Sequence, residues 1–170
     1  MIHIVLYEPE IPQNTGNIMR ICVAFNMKLH LIEPLGFSLN EKQIRRSNVN
    51  YTAEADVTVH TTLDDFMASY QGRIYIFSRY GETLPSAANL KDDAEDVYLL
   101  FGSESAGYPS AFLKAHKDKL LRIPMHDTMR SLNLANTVAM SAYEASRQKA
   151  FKGLSETEPT AQKGPNYLDS

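Results

Sequence analysis

The first thirty-odd residues leave few folds open to this chain. Ile2 to Tyr7 is an almost unbroken β-branched and aliphatic run, which predicts a buried strand. Glu8-Pro9-Glu10-Ile11-Pro12-Gln13-Asn14-Thr15-Gly16 cannot continue it. Two prolines, followed by Asn-Thr-Gly, are loop and helix-start chemistry. Ile18, Ile21, Cys22 and Phe25 then recur at helical spacing, predicting an amphipathic helix to about Phe25. Lys28 to Glu33 is a second strand, closed by Pro34 and Gly36. Strand, loop, helix, strand is the pattern of a parallel α/β unit.

The alternation continues. Asn40 to Arg46 suits a short helix, Val57 to Val59 a short strand, and Thr62 to Tyr70 a helix with Asp64 and Asp65 in its first turn, where the macrodipole favours negative charge. Arg73 to Phe77 and Val97 to Phe101 read as buried strands, separated by a polar stretch from Leu84 to Asp96. Pro109 to Lys114 opens another helix, and Leu120 to Ile123 is a last strand stopped by Pro124. The expected fold is α/β, a mainly parallel sheet with helices on both faces. One domain over 1–154 is expected, followed by a polar, weakly ordered tail over 155–170.

The last helix differs from the others. Arg130-Ser131-Leu132-Asn133 is a polar turn in which Asn133 can cap the run that follows. Leu134, Val138 and Ala142 share one face of that run, yet Ala139, Met140 and Tyr143 make its other faces apolar too. A helix that is apolar nearly all round is buried or lies in a subunit interface. A polar turn feeding a rigid helix can also hold a ligand through its outward N–H groups.

Composition removes several functions. In 170 residues the chain is 44% hydrophobic and 22% charged, an ordinary globular mix. It has one cysteine, Cys22, on an apolar helical face, so no internal disulfide can form and a cytoplasmic protein is expected. No apolar run approaches the roughly 20 residues of a membrane span, and the N-terminal stretch has no basic leader. A formal net charge of −3 argues against bulk non-specific nucleic-acid binding but leaves room for a local basic patch. The five histidines are scattered, without Cys/His or His-Glu-x-x-His spacing, so no metal site is expected. There is no Gly-x-Ser-x-Gly elbow, and Cys22 has no activating neighbour in sequence.

Three polar, Gly- or Asn-bearing stretches remain, each at the carboxyl end of a strand or just before a helix. Ligands of parallel sheets gather at that edge. Gly102-Ser103-Glu104-Ser105-Ala106-Gly107 follows the strongest strand and brackets a glutamate with glycines, a turn built for close backbone approach. It is neither a P-loop nor a GxGxxG turn. Arg20 sits away from the apolar stripe of the first helix, near the same rim. A cofactor held by backbone groups, with Arg20 beside it, fits this inventory.

Asn14-Thr15-Gly16-Asn17-Ile18-Met19-Arg20, Leu99 to Pro109, and Arg130-Ser131-Leu132-Asn133-Leu134-Ala135-Asn136 resemble the three ordered motifs of the SPOUT superfamily of RNA ribose methyltransferases. The resemblance covers nearly the whole chain. The compact length and Ile4 to Asn17 are most similar to the bacterial tRNA (cytidine/uridine-34)-2′-O-methyltransferase branch. Ser103, Ala106 and Ala135 depart from residues common in close relatives.

The resemblance implies a deep trefoil knot at the C-terminal end, a homodimer, and S-adenosyl-L-methionine held largely through main-chain groups. Carried over by motif, the cofactor contacts are Phe77, Gly102, Ile123 and Ser131, with Glu104, Leu132 and Asn133 close by. Arg20 and Asn14 are the catalytic candidates on the RNA side. The implied reaction is methyl transfer to the ribose 2′-hydroxyl of the wobble nucleotide in a tRNA anticodon loop, by in-line attack on the sulfonium methyl. An arginine stays protonated through the physiological range, so orientation and charge stabilisation suit Arg20 better than proton abstraction. Lys42, Arg45, Arg46, Arg79 and Arg147 are candidates for RNA backbone contacts. The alternatives are the same chemistry on another RNA, or a non-enzymatic α/β protein that binds RNA or a nucleotide.

Overall fold

The computed structural model describes residues 1–39, 55–159, 164, 166 and 168. The expected helix over Asn40 to Arg46, with Lys42, Arg45 and Arg46, lies outside the described residues.

Six parallel strands form one sheet: β1 (Ile2–Tyr7), β2 (Lys28–Ile32), β3 (Val57–His60), β4 (Arg73–Phe77), β5 (Val97–Phe101) and β6 (Leu120–Leu121). Their spatial order is β3-β2-β1-β5-β4-β6. Among the described residues the α-helices are α1 (Pro12–Ala24), α2 (Leu63–Ser69), α3 (Ser110–Ala115) and α4 (Leu134–Gln148). The polar stretch before β5 holds only a short 3-10 turn, Pro85–Ala87. β6 is shorter than the expected Leu120–Ile123. Only Leu120 and Leu121 find partners on β4, opposite Ile76 and Phe77.

Period-2 alternation divides the buried side chains between two layers. Ile2, Ile4 and Leu6 of β1 face α1 and α4, meeting Ile18, Met19 and Cys22 of the first helix and Val138, Ala142 and Ala145 of the last. Val5 points the other way, joining Ile74, Ile76 and Leu100 beneath Phe66 of α2. Phe112 and Leu113 of α3 pack on that second layer. Phe66 is almost fully buried. Truncating such a side chain to Ala costs about 3–5 kcal/mol.

One local expectation needs correction. Asn14 to Asn17 is not a loop: α1 already begins at Pro12. Proline suits the first helical turn, because its missing N–H is one that the helix could not satisfy internally and its φ is already helical. Asn14, Thr15 and Gly16 are buried on the inner side of this helix. Pro109 sits at the cap of α3 rather than inside it.

The strand order creates a switch point. The chain leaves β1 toward α1 on one face, and leaves β5 toward α3 on the other. β1 and β5 are neighbours in register, with Leu6 opposite Phe101. Their carboxyl ends therefore diverge around a crevice, the place where open parallel sheets bind ligands.

Candidate active site

The crevice is closed by one carboxylate. Ile11, the cap residue of α1, has no polar side chain with which to satisfy the helix's first N–H groups. Glu104, from the turn after β5, instead holds the two residues that lead into the helix. It accepts hydrogen bonds from the backbone N–H of Glu10 at 2.9 Å and of Ile11 at 3.1 Å. A negative charge at a helix N-terminus also meets the positive end of the macrodipole. The Asn14 side-chain amide donates to the same carboxylate at 3.2 Å.

The third motif joins here. The Asn133 amide donates to the Asn14 carbonyl oxygen at 3.0 Å. Asn133 Oδ1 meanwhile caps α4 by accepting from the Asn136 N–H at 3.2 Å, as expected from sequence. The three polar stretches thus meet in one row, Glu104 to Asn14 to Asn133. Asn14 is 6% exposed and uses both ends of its amide in this row. Its position is that of a tie between motifs. Arg20 is on the same helix, about 9 Å further along its axis at 1.5 Å per residue, and is exposed. Ser105 donates to Glu10 Oε1 at 2.6 Å, a second link across the crevice that the sequence did not suggest.

The candidate cofactor residues lie at the neighbouring strand ends. Phe77 ends β4, is buried, and stacks on Phe101 with ring centroids 4.6 Å apart. Gly102 follows β5, where a Cβ would fall 2.8 Å from the Cα of Gly107. The turn closes through Ser103 and Gly107, which exchange backbone hydrogen bonds of 3.2 and 3.0 Å. The segment after β4 is fastened to β6: the Ser78 N–H donates to Leu121 O, and the Arg122 N–H to Thr83 O, both at 2.9 Å. The Arg122 guanidinium donates to Arg79 O. Ile123 is half-buried, whereas Ser131 and Leu132 are exposed beside the start of α4. In the loop between Arg122 and Asn133, Met129 N–H donates to His126 O and Thr128 N–H to the His126 ring. The main-chain groups of Ile123, Ser131 and Leu132 lie outside every helix and strand.

The tyrosines near the crevice are not bases, and the buried Tyr108 hydroxyl has no hydrogen-bond partner. Burial, with the Glu8 carboxylate adding to it, pushes the Tyr7 hydroxyl up to about 12. Burial also raises Tyr108, stacked on Tyr7, well above the ordinary tyrosine value. Cys22, on the inner face of α1, is fully buried and its thiol is pushed up to about 12, so it is no nucleophile. Arg147 forms a two-point ion pair with Glu144 within α4, at 2.8 and 2.9 Å.

Comparison with known proteins agrees with this geometry. The family model described as SpoU rRNA Methylase family matches residues 1–143. A tRNA (cytidine(34)-2′-O)-methyltransferase of Saccharophagus degradans is 41% identical over 155 residues, covering 90% of this chain and 99% of the relative. A Lactococcus lactis protein, provisionally given the same name, is 45% identical over 157 residues, covering 91% of this chain and 93% of its own. A solved structure, described as giving insight into 2-OH methylation of C/U34 on tRNA, superposes with a TM-score of 0.80 at 41% identity, covering 88% of this chain and 91% of that one. With a family match across most of its length and the three motifs converging at one crevice, the chain belongs to the SpoU methylase family.

Proposed function

We propose that the chain methylates the ribose 2′-hydroxyl of the wobble nucleotide, cytidine or uridine 34, in tRNA anticodon loops. The relatives' names supply the substrate. The observation that carries the reading onto this chain is the Glu104–Asn14–Asn133 row, which assembles all three motifs at the β1/β5 switch point.

The cofactor is S-adenosyl-L-methionine, which supplies an electrophilic methyl when bound. The residues present fit it. Phe77 and Leu132 offer apolar surface, and the main-chain groups of Ile123, Ser131 and Leu132, outside the helices and strands, offer donors and acceptors. Gly102 permits close backbone approach. Glu104 and Asn133 hold the two flanking loops rather than contributing charge to the transfer. Asn14 fixes the start of α1, and through that helix the base of Arg20. The Arg20 guanidinium orients the attacking hydroxyl and offsets the negative charge on its oxygen as the proton passes to solvent water at this exposed rim. In this arrangement positioning supplies much of the rate.

Two further parts of the reading concern the whole molecule. Met140 and Tyr143 are 42% and 55% exposed on α4, an apolar surface suited to a second copy of this chain. Gln148, near the end of α4, donates to Pro85 O and Ala88 O and accepts from the Leu90 N–H. The 78–90 segment is thus bonded to β6 at one end and to α4 at the other, which supports a threaded, knotted C-terminal end. The reading keeps 1–154 as the catalytic domain and 155–170 as a tail outside it.

The test is transfer of labelled methyl from S-adenosyl-L-methionine to bulk tRNA, with the product nucleotide mapped by mass spectrometry. A 2′-O-methyl at position 34 is expected, and its loss in Arg20→Ala with cofactor affinity retained. Product on ribosomal RNA alone would overturn the substrate, and near-normal turnover by Arg20→Ala would overturn the role of that residue.

A further inference from the structure

Three of the five histidines, far apart in sequence, form a row on the sheet face away from α1. His3 on β1 places Nδ1 2.7 Å from His30 Nε2 on β2. His30 Nδ1 lies 2.9 Å from His60 Nε2 at the end of β3. At the inner end, His3 Nε2 lies 3.2 Å from the Asp96 carboxylate. Tyr98 stacks on His3 at 4.3 Å, and Phe66 of α2 meets His60 edge-on at 5.2 Å.

Hydrogen-bond chemistry fixes the protons of this row. A carboxylate only accepts, so His3 Nε2 carries hydrogen and, in a neutral ring, His3 Nδ1 accepts. His30 Nε2 must then donate and its Nδ1 accept, so His60 Nε2 donates in turn. Each neutral ring is the Nε2–H tautomer, and the nitrogen left open is His60 Nδ1. A first added proton enters there, and every hydrogen bond survives. A second proton has no such place. On either inner ring it would set two N–H groups against each other at 2.7 or 2.9 Å.

The surrounding charges do not relieve that conflict. Lys28 of β2 and the Met1 ammonium oppose protonation of His3, while Asp96 favours it. Asp96 is already paired with that ammonium at 2.6 Å. Lys28 opposes and Asp56 favours a charge on His30, and Asp65 of α2 favours one on His60. Burial is the largest influence on all three and lowers their proton affinity.

We propose that His3, His30 and His60 form a two-stage acid latch on the β2–β3 edge, which takes up one proton intact and opens on the second. The latch reaches the active-site crevice through backbone bonds. Glu33 N–H donates to His60 O at 2.9 Å, Glu8 N–H to Ile32 O at 3.0 Å, and Gly36 N–H to Pro9 O at 2.9 Å. Opening the edge therefore loosens the Glu8–Ile11 segment that Glu104 holds. The inference stands whether or not the substrate is tRNA.

The test is ¹⁵N NMR of the imidazole rings in the full chain, with hydrogen exchange followed from pH 8 to 3.5. All three rings are expected as Nε2–H tautomers at pH 8. The first proton should leave exchange protection of β2, β3 and α2 unchanged. The second should lower it at least tenfold while β4 and β5 keep theirs. An Nδ1–H tautomer at His30, or three rings titrating independently with no loss of edge protection, overturns the proposal. His30→Phe should abolish the acid-induced loss. Should that variant not fold, His60→Gln decides: its amide donates to neutral His30 and, turned over, accepts from the row once it is protonated, so the two stages must persist, and opening on the first proton overturns the latch.

Discussion

The side-chain amide of Asn133 donates to the Asn14 carbonyl oxygen at 3.0 Å, although the two residues are 119 positions apart. The same Asn133 caps α4, so one side chain starts the last helix and ties it to the first. Asn133→Ala removes the cap, worth about 0.5–2 kcal/mol, and leaves a buried carbonyl of Asn14 unpaired. Urea unfolding should show a loss of about 2–4 kcal/mol, more than a cap alone explains. A loss below about 0.5 kcal/mol would show that the tie is not made in solution.

Glu104→Gln tests the carboxylate at the crevice. The variant keeps one oxygen acceptor but turns an N–H group toward donors that Glu104 now satisfies. A destabilisation of about 1–3 kcal/mol is expected from the unpaired donors. Methyl transfer should fall at least tenfold, because the start of α1, and with it Arg20, is no longer held. Unchanged thermal stability and turnover would refute this role.

The two glycines of the same turn should respond differently. Gly107 has φ +67° and open space where a Cβ would stand, with nothing within 4 Å, so Gly107→Ala meets only the backbone cost, about 1–2 kcal/mol. Gly102→Ala would drive a methyl to 2.8 Å from the Gly107 backbone and force the turn apart. It should be the more damaging of the pair in both melting temperature and cofactor affinity, measured by calorimetry.

Acid should destabilise the fold before Asp92 and Asp96 titrate. The folded-state proton affinity of His30 is lowered from the ordinary 6.5 to about 4, mainly by burial. The unfolded chain therefore binds the proton first. This contribution is complete above pH 6.5 and is lost as pH falls toward 4. Asp92 and Asp96 are also held below their ordinary value, chiefly by hydrogen bonds from Lys149 and the Met1 ammonium, and their contribution fades only lower still. Thermal melts should decline steadily from about pH 6.5 to 4.5, by about 2–4 °C for each kcal/mol lost in a domain this size. His30→Phe should flatten that decline, and an equal slope in the variant would count against His30 as its source.

Strand positions were readable because burial imposes a local pattern. Ile2–Tyr7, Arg73–Phe77 and Val97–Phe101 lie where the aliphatic runs predict them. The Asn133 cap was readable for the same reason, since donor and acceptor are three residues apart. The start of α1 was misplaced because Asn-Thr-Gly weakens helix propensity locally, while its stabilising carboxylate comes from Glu104 in a distant turn. Resemblance to a family named Arg20, Asn14 and Glu104 as important, but it did not say what each touches.

By itself, then, the sequence determined the alternation of elements, the parallel sheet and the three polar stretches, all of which depend on neighbours within a few positions. Tertiary structure alone decided that β1 and β5 lie side by side, that Glu104 satisfies Ile11, and that three scattered histidines share one row. Each of those contacts joins residues from separate strands or loops. Their distances are set by sheet order and register, and no local periodicity carries that information.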